Sequence, residues 1–161
     1  MGSLLLLRRH YPELLSNIGF ELPGAGGVDV WLTWTESPGD GVLADEGTKV
    51  HSGNHAAKVT AGASKNAYVY QTHAVVPGTS YTVTFWTAGD GTNASRYRIW
   101  DATNSASIIA LSSTDVTAGT YTQVSVSFTV PATCVSVEVQ LWNGSVVGAV
   151  SYFDDTSLKR K

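Results

Sequence analysis

Charged residues are scarce in this sequence. Asp, Glu, Lys and Arg together make up 14% of the 161 residues, and the formal net charge is −3. A nucleic-acid-binding surface requires a dense basic patch. The basic residues gather partly at the two ends instead, as Arg8-Arg9 and as Lys159-Arg160-Lys161. The sequence therefore predicts no nucleic-acid partner.

Cysteine and long apolar runs are also nearly absent. Cys134 is the only cysteine, so no intrachain disulfide can form. The run Leu4–Leu7 meets Arg8 after four leucines, which is too short for the apolar core of a signal peptide. No stretch approaches the ~20 apolar residues that cross a bilayer. We expect no membrane span, and the chain shows no recognisable export signal.

Helix-forming patterns are lacking after the N-terminal segment, whereas Gly, Thr, Ser and Val are abundant. The stretch Tyr68–Thr87 consists of two alternating β-branched and aromatic runs around the break at Pro77–Ser80, a pattern typical of a hairpin. In its second run Tyr81, Val83 and Phe85 share one face. The sequence predicts an all-β protein in which this stretch is a pair of antiparallel strands.

Further strands follow the same alternation. In Thr122–Val130 and in Val135–Trp142, apolar residues take every second position, beginning with Val124 and Val135. Short strands separated by Gly and Pro, without helical periodicity, are typical of a β-sandwich or jelly roll. We find no linker that would divide the chain, so we expect one domain.

Three tryptophans fall on the polar phase of their strands, and polar residues share that phase. Aromatic rings stack on the apolar faces of sugars, and the polar groups can bond hydroxyls. Tryptophan is equally typical of protein interfaces. Both a glycan and a protein partner therefore remain open for the predicted ligand-binding residues, which are Trp86, Arg98, Trp100, Glu138, Gln140 and Trp142.

Motifs for catalysis are absent from the sequence. We find no phosphate-binding loop, no cysteine cluster and no nucleophile elbow. His51 and His55 are four residues apart, but the intervening Ser-Gly-Asn breaks any helix that would place them on one face. We therefore expect a protein that is not an enzyme.

Several segments follow one another in a familiar order and spacing: Asn17–Glu21, Trp34, His51–Gly53, Ala57–Val59, Gln71, Pro77-Gly78, Tyr81, Thr122–Pro131 and Phe153–Asp155. As a set they resemble the carbohydrate-binding modules of families 4, 9 and 22. The resemblance implies a β-sandwich jelly roll of two antiparallel sheets, with glycans on the concave sheet. It covers residues 17–158, so we expect a jelly-roll domain over 17–161 and an extended N-terminal arm over 1–16.

The same resemblance implies a structural Ca²⁺. Its ligands would be the carbonyl of Gly19, Glu21, a carbonyl near Asn54, and Asp154. Calcium prefers several oxygen ligands of this mixed type. His51 stands near the position of an expected acidic ligand, which predicts a weaker site. The alternative is that Glu21 is solvated and that Asp154 belongs to a loop cap.

Two hypotheses for the function follow. In the first, the chain is a non-catalytic attachment subunit of a phage virion, such as a decoration, tail or fibre protein. Residues 1–16 would then dock Leu4–Leu7 or Leu14-Leu15 on another subunit, and the protein would lie on a virion or extracellular surface. In the second, it is the carbohydrate-binding module of a secreted polysaccharide-degrading enzyme.

Overall fold

A computed structural model describes residues 11–27 and 29–161. Within these ranges every regular element is a β-strand, and no helix capable of spanning a membrane occurs among them. The twelve strands are β1 (Pro23–Gly26), β2 (Asp29–Trp31), β3 (Thr35–Ser37), β4 (Val42–Glu46), β5 (Ala56–Thr60), β6 (Tyr68–Ala74), β7 (Ser80–Ala88), β8 (Arg96–Asp101), β9 (Ala106–Ser113), β10 (Thr122–Thr129), β11 (Ser136–Trp142) and β12 (Val150–Arg160).

Two five-stranded sheets form the body of the protein. The front sheet has the order β3-β6-β11-β8-β9, and the back sheet has the order β10-β7-β12-β5-β4. All pairings are antiparallel, and β1 and β2 form a separate two-stranded ribbon. This architecture confirms the predicted β-sandwich jelly roll of two antiparallel sheets.

The core lies between the two sheets and follows from the alternation of the strands. On β7, Tyr81, Val83 and Phe85 point inward and are 3%, 0% and 0% exposed, as the sequence predicted. Phe85 packs against Phe153 of the same sheet and Tyr97 of the front sheet. Each fully buried side chain of this size contributes about 1.5–3 kcal/mol of hydrophobic stabilisation, so these rings hold the layers together.

The predicted hairpin over Tyr68–Thr87 is wrong. Strand β6 pairs with β11 and β3 of the front sheet, whereas β7 pairs with β10 and β12 of the back sheet. The connection crosses from one sheet to the other and bonds elsewhere: Val75 N–H donates to Val135 O, and Gly78 N–H donates to Val130 O. Two alternating runs with a Pro-Gly break are compatible with either a hairpin or a crossover.

The described part of the predicted arm, residues 11–16, packs on the domain itself. Leu15 is 6% exposed in the core, and Leu14 N–H donates to Leu158 O. The Glu13 carboxylate accepts bonds from Leu158 N–H and Ser157 Oγ. The predicted docking of Leu14-Leu15 on another subunit is therefore wrong, because the domain's own core covers Leu15. Leu4–Leu7 lie outside the described residues.

Candidate functional site

The outer face of the front sheet collects most of the predicted ligand-binding residues. Strand β11 lies between β6 and β8, and its outward residues Glu138, Gln140 and Trp142 each stand between two neighbours. Arg98 lies beside Gln140, and Trp100 lies beside Glu138. Five of the six predicted residues thus occupy one surface, which the regular register of β11 with β6 and β8 creates.

Planar groups on this face stack into a line across three strands. The Tyr68 ring lies parallel to the Trp142 ring, with centroids 4.0 Å apart and planes at 9°. The Arg98 guanidinium lies 5.0 Å from the Trp142 centroid and 4.5 Å from the Trp100 centroid. We call these four side chains, Tyr68, Trp142, Arg98 and Trp100, the ring row. Cation–π contacts of this kind hold the planes in a fixed geometry.

A chain of hydrogen bonds fixes the polar groups beside the ring row. Gln140 Oε1 accepts bonds from Arg98 Nε at 2.7 Å and from Trp142 Nε1 at 2.9 Å. Gln140 Nε2 donates to Glu138 Oε2. Gln140 is 1% exposed, so it acts as a buried connector that orients the more exposed groups around it. The face is therefore organised before any ligand arrives.

Tyr70 adds a hydroxyl to this face next to Gln140. Burial raises the pKa of the Tyr70 phenol, and the nearby Glu138 carboxylate and Tyr68 raise it further. The hydroxyl therefore stays protonated at neutral pH and can both donate and accept.

Trp86 does not belong to this surface, although it was predicted with the others. It lies on β7 of the back sheet, where the His51 ring stacks on it with centroids 3.8 Å apart. Trp142 is also less available than predicted, because it is only 9% exposed and lies between Tyr68 and Arg98. The two ends of the ring row, Tyr68 and Trp100, are by contrast partly exposed.

Tyr68 is the residue that the sequence analysis missed. Its position two residues before Tyr70 carried the signal, since both share the outward phase of β6. Trp31 and Trp34 are 0% and 4% exposed and contact Phe20, so they belong to the core.

A second constellation forms where three distant segments meet. Asp154 is completely buried, and its Oδ2 accepts bonds from the amides of His51 at 2.8 Å and Ser52 at 3.1 Å. Asp155 lies beside it, 2.6 Å from His51 Nδ1 and 2.9 Å from Ser52 Oγ. A methyl group placed on Gly19 would lie 3.4 Å from Asp155 Oδ1 and 3.6 Å from Asp154 Oδ1.

Glu21 completes this group, which we call the carboxylate junction (Gly19, Glu21, residues 51–55, Asp154 and Asp155). Its carboxylate accepts bonds from the amides of Asn54 and His55. Gly53 has a φ of 64°, and a Cβ there would lie 2.1 Å from Glu21 Oε1, so only glycine fits. Hydrogen bonds thus join residues 54–55 to Glu21 and residues 51–52 to Asp154, and Gly19 lies between the Glu21 and Asp154 side chains.

The carboxylate junction fits a hard cation by its donor chemistry. Burial raises the pKa of the Asp154 carboxyl, and the charge of Asp155 raises it further. The hydrogen bonds from the Ser52 and His51 amides lower this pKa but do not outweigh the effect of burial. Glu21, Asp154 and the Gly19 carbonyl would hold calcium there, and the ion would neutralise the clustered carboxylates. Among the described residues, the side-chain ligand atoms that lie within 4.8 Å of one another belong to His51, Asp154 and Asp155, and Glu21 is not in this group.

A rigid β-sandwich with a preorganised aromatic and polar sheet face belongs to the class of binding modules. The family model for the carbohydrate binding domain of CBM families 4 and 9 matches residues 12–147. The chain therefore belongs to this carbohydrate binding domain family, which confirms the resemblance seen in the sequence and suggests a non-catalytic domain. The search found no curated protein with significant similarity.

Solved structures share the fold at low sequence identity. The CBM22-1–GH10 modules of the Clostridium thermocellum endo-1,4-beta-D-xylanase 10B, complexed with xylohexaose, align with a TM-score of 0.69 at 20% identity over 94% of this chain. This chain spans 29% of that xylanase chain. TmCBM61 in complex with beta-1,4-galactotriose aligns with a TM-score of 0.62 at 18% identity, covering 93% of this chain and 99% of that one.

A bacteriophage protein shares the fold as well. The enzymatically active domain of bacteriophage CBA120 tailspike protein 4 aligns with a TM-score of 0.63 at 14% identity, over 92% of this chain and 21% of that chain. At this level of identity the likeness concerns the fold alone.

Proposed function

We propose that the protein is a non-catalytic glycan-binding module whose ligand lies on the outer face of the front sheet. The observation that carries this proposal is the ring row, a line of stacked planar groups flanked by fixed hydrogen-bonding side chains. Glycan-binding surfaces need apolar planes for the sugar faces and placed donors and acceptors for the hydroxyls. Trp100 supplies such a plane, and Glu138 and Tyr70 supply polar groups on the same face, where the buried Gln140 orients its neighbours.

The side chains of this face have different roles in the proposed binding. Trp100 and Tyr68 end the ring row, so their outer faces are the planes on which a sugar can stack. Trp142 and Gln140 are only 9% and 1% exposed, so they hold the neighbouring side chains in place and offer little surface to a ligand. Glu138 accepts a bond from Gln140, and its carboxylate has lone pairs left for sugar hydroxyls.

The experiment is a binding screen by isothermal titration against xylan, β-glucan, mannan and galactan oligosaccharides. We expect one of these neutral β-linked series to bind with micromolar to millimolar affinity, a range of about −8 to −4 kcal/mol. Saturation should shift the NMR or fluorescence signals of Trp100 and leave Trp86 unchanged. Absence of binding to every series, with the protein folded, would contradict the proposal.

Two hypotheses drawn from the sequence concern the larger assembly or protein in which the module works. A virion attachment subunit would use the leucines of residues 4–7 for assembly, and the support for it is that apolar run ahead of the domain. A module of a polysaccharide-degrading enzyme would present the same front-sheet face to its substrate. The binding screen addresses the face itself, which both contexts require.

We further propose that calcium occupies the carboxylate junction. Three segments meet there through carboxylates, so a bound cation would tie the N-terminal loop to β12 and to loop 51–55. A ligand that binds only the folded state stabilises it by about 2.7 kcal/mol when present at 100 times its Kd.

We expect calcium to raise the unfolding temperature, and a chelator to lower it, in the unaltered protein but not in Glu21→Gln. Differential scanning calorimetry with and without calcium measures both. Glu36→Gln is the matched control, because Glu36 Oε1 also accepts two backbone amides, from Val30 and Trp31 of β2, away from the junction. A calcium response that survives in Glu21→Gln, or one that Glu36→Gln abolishes equally, would argue against this site.

A further inference from the structure

The four edges of the two sheets are protected to very different degrees. An open strand edge offers unpaired amides and carbonyls to other chains, and proteins blunt such edges by short length, charge or bulges. Strand β3 has only three residues. Strand β4 carries Asp45 and Glu46, and β9 has two register shifts against β8. Three edges therefore carry a recognised form of protection.

Strand β10 carries none of these. It runs for eight residues, Thr122–Thr129, in an unbroken register with β7, and contains no charged residue, proline or glycine. Its other edge pairs with no strand in the described part of the chain. Since an antiparallel ladder uses alternate residues on each side, half of the β10 amides and carbonyls face outward along this edge.

We propose that β10 pairs with the β10 strand of a second copy of this chain, antiparallel about a twofold axis, to join the two back sheets into one. Pairing identical strands about a twofold axis is necessarily antiparallel and closes after two subunits. The β10 strand of the second copy has the same length, so its outward amides and carbonyls match those of the first copy in number.

The side chains of β10 complement their own twofold image. If Val126 lies opposite Val126 of the partner subunit, Ser125 lies opposite the partner's Ser127, and Val124 lies opposite the partner's Phe128. On the outer face the hydroxyl groups of one subunit then lie opposite hydroxyl groups of the other, and on the inner face apolar side chains lie opposite apolar side chains. A shift by one residue would reverse every side chain, which excludes half of the registers.

The existing β7–β10 ladder shows that these side chains make such pairs. Thr82 Oγ1 and Ser127 Oγ are 2.9 Å apart, as are Ser80 Oγ and Thr129 Oγ1. A hydroxyl has one donor and two acceptor sites, so Ser127 can keep its bond to Thr82 and bond a further hydroxyl. The partly buried Val124 and Val126 would lose their remaining contact with water.

Such a dimer would leave both front-sheet faces open, because β10 belongs to the back sheet. It would present two glycan-binding faces on one rigid particle, and two linked faces raise the apparent affinity for a repeating polymer. This consequence rests on the proposed function, whereas the pairing itself does not.

The test is sedimentation velocity of the full chain without any glycan, at protein concentrations from about 1 to about 200 µM. This range spans the dissociation constants expected of a weak dimer. We expect a dimer that Ser125→Lys/Ser127→Lys weakens by at least about 100-fold, since lysines would lie directly opposite lysines. Ser125→Thr/Ser127→Thr is the matched control and should keep the dimer. Thermal unfolding of each variant verifies that the exposed substitutions leave the fold intact.

Hydrogen exchange of the unaltered protein supplies a second readout. The amides of β10 should exchange more slowly at the high concentration than at the low one, while those of β4 should not change. A monomer at every concentration overturns the proposal, as does a dimer that the lysine pair leaves unchanged. Stable capture of an extended segment of another protein in place of the second copy also overturns it.

Discussion

Trp100→Ala is expected to weaken glycan binding by about 30-fold, which corresponds to ~2 kcal/mol for the loss of an aromatic anchor. Trp100 ends the ring row, with the Arg98 guanidinium on one face at 4.5 Å from its centroid. Trp100 is partly exposed, and its other face is the plane on which we propose that a sugar stacks. Isothermal titration with the best ligand of the screen measures the loss.

Trp86→Ala is the matched control, because it removes the same side chain from the opposite sheet. Trp86 stacks on His51 and lies outside the ring row, so its loss should change the glycan affinity by less than about twofold. Thermal unfolding of both variants separates weakened binding from a weakened fold. If Trp86→Ala reduced affinity as much as Trp100→Ala, the binding face would not be the front sheet.

The sequence could predict the phase of each strand but not the neighbours of each strand. Period-two alternation correctly turned Tyr81, Val83 and Phe85 inward, because a half-buried strand exposes only one face to water. The same alternation says nothing about which sheet a strand joins. Trp86 shares the outward phase of Trp100 and nevertheless lies on the other sheet, since β7 pairs within the back sheet and β8 pairs within the front sheet.

Burial on the outer face could not be predicted either. An outward position is exposed only where its neighbours are small, and Trp142 lies between two large planar groups, Tyr68 and Arg98. Those neighbours come from β6 and β8, about 74 and 44 residues earlier in the chain. Only the register of β11 with both strands brings the three together, and register is a tertiary property.

The carboxylate junction illustrates the same limit. Glu21, Asn54 and Asp154 carry no common local pattern, and only the family resemblance linked them as a set. The structure does bring them together, with the amide of Asn54 donating to Glu21 and those of His51 and Ser52 donating to Asp154. Backbone amides contribute much of this site, and no sequence pattern records which carboxylate an amide will face.

Asp154→Ala is expected to reduce the free energy of unfolding by about 3–5 kcal/mol, measured with a chelator present so that calcium does not contribute. Asp154 is 0% exposed and accepts three backbone amides, from His51, Ser52 and Asp155. Alanine removes the acceptor and leaves these three donors, whose bonds are partly buried, without a partner. Each unsatisfied buried donor costs about 1–3 kcal/mol, and a domain has only about 5–15 kcal/mol in total.

Asp155→Asn supplies the comparison for this loss, because it deletes the neighbouring carboxylate without removing a buried acceptor and keeps a residue type that tolerates the φ of 45° at this position. The Asp155 side chain is 28% exposed and bonds two side chains, those of His51 and Ser52, which water can solvate in the absence of this carboxylate. We expect a loss of less than about 1 kcal/mol, as for partly exposed polar pairs. Urea unfolding of the two variants side by side measures the difference. Equal losses would mean that the three amides of the junction find other acceptors and that Asp154 does not hold the segments together.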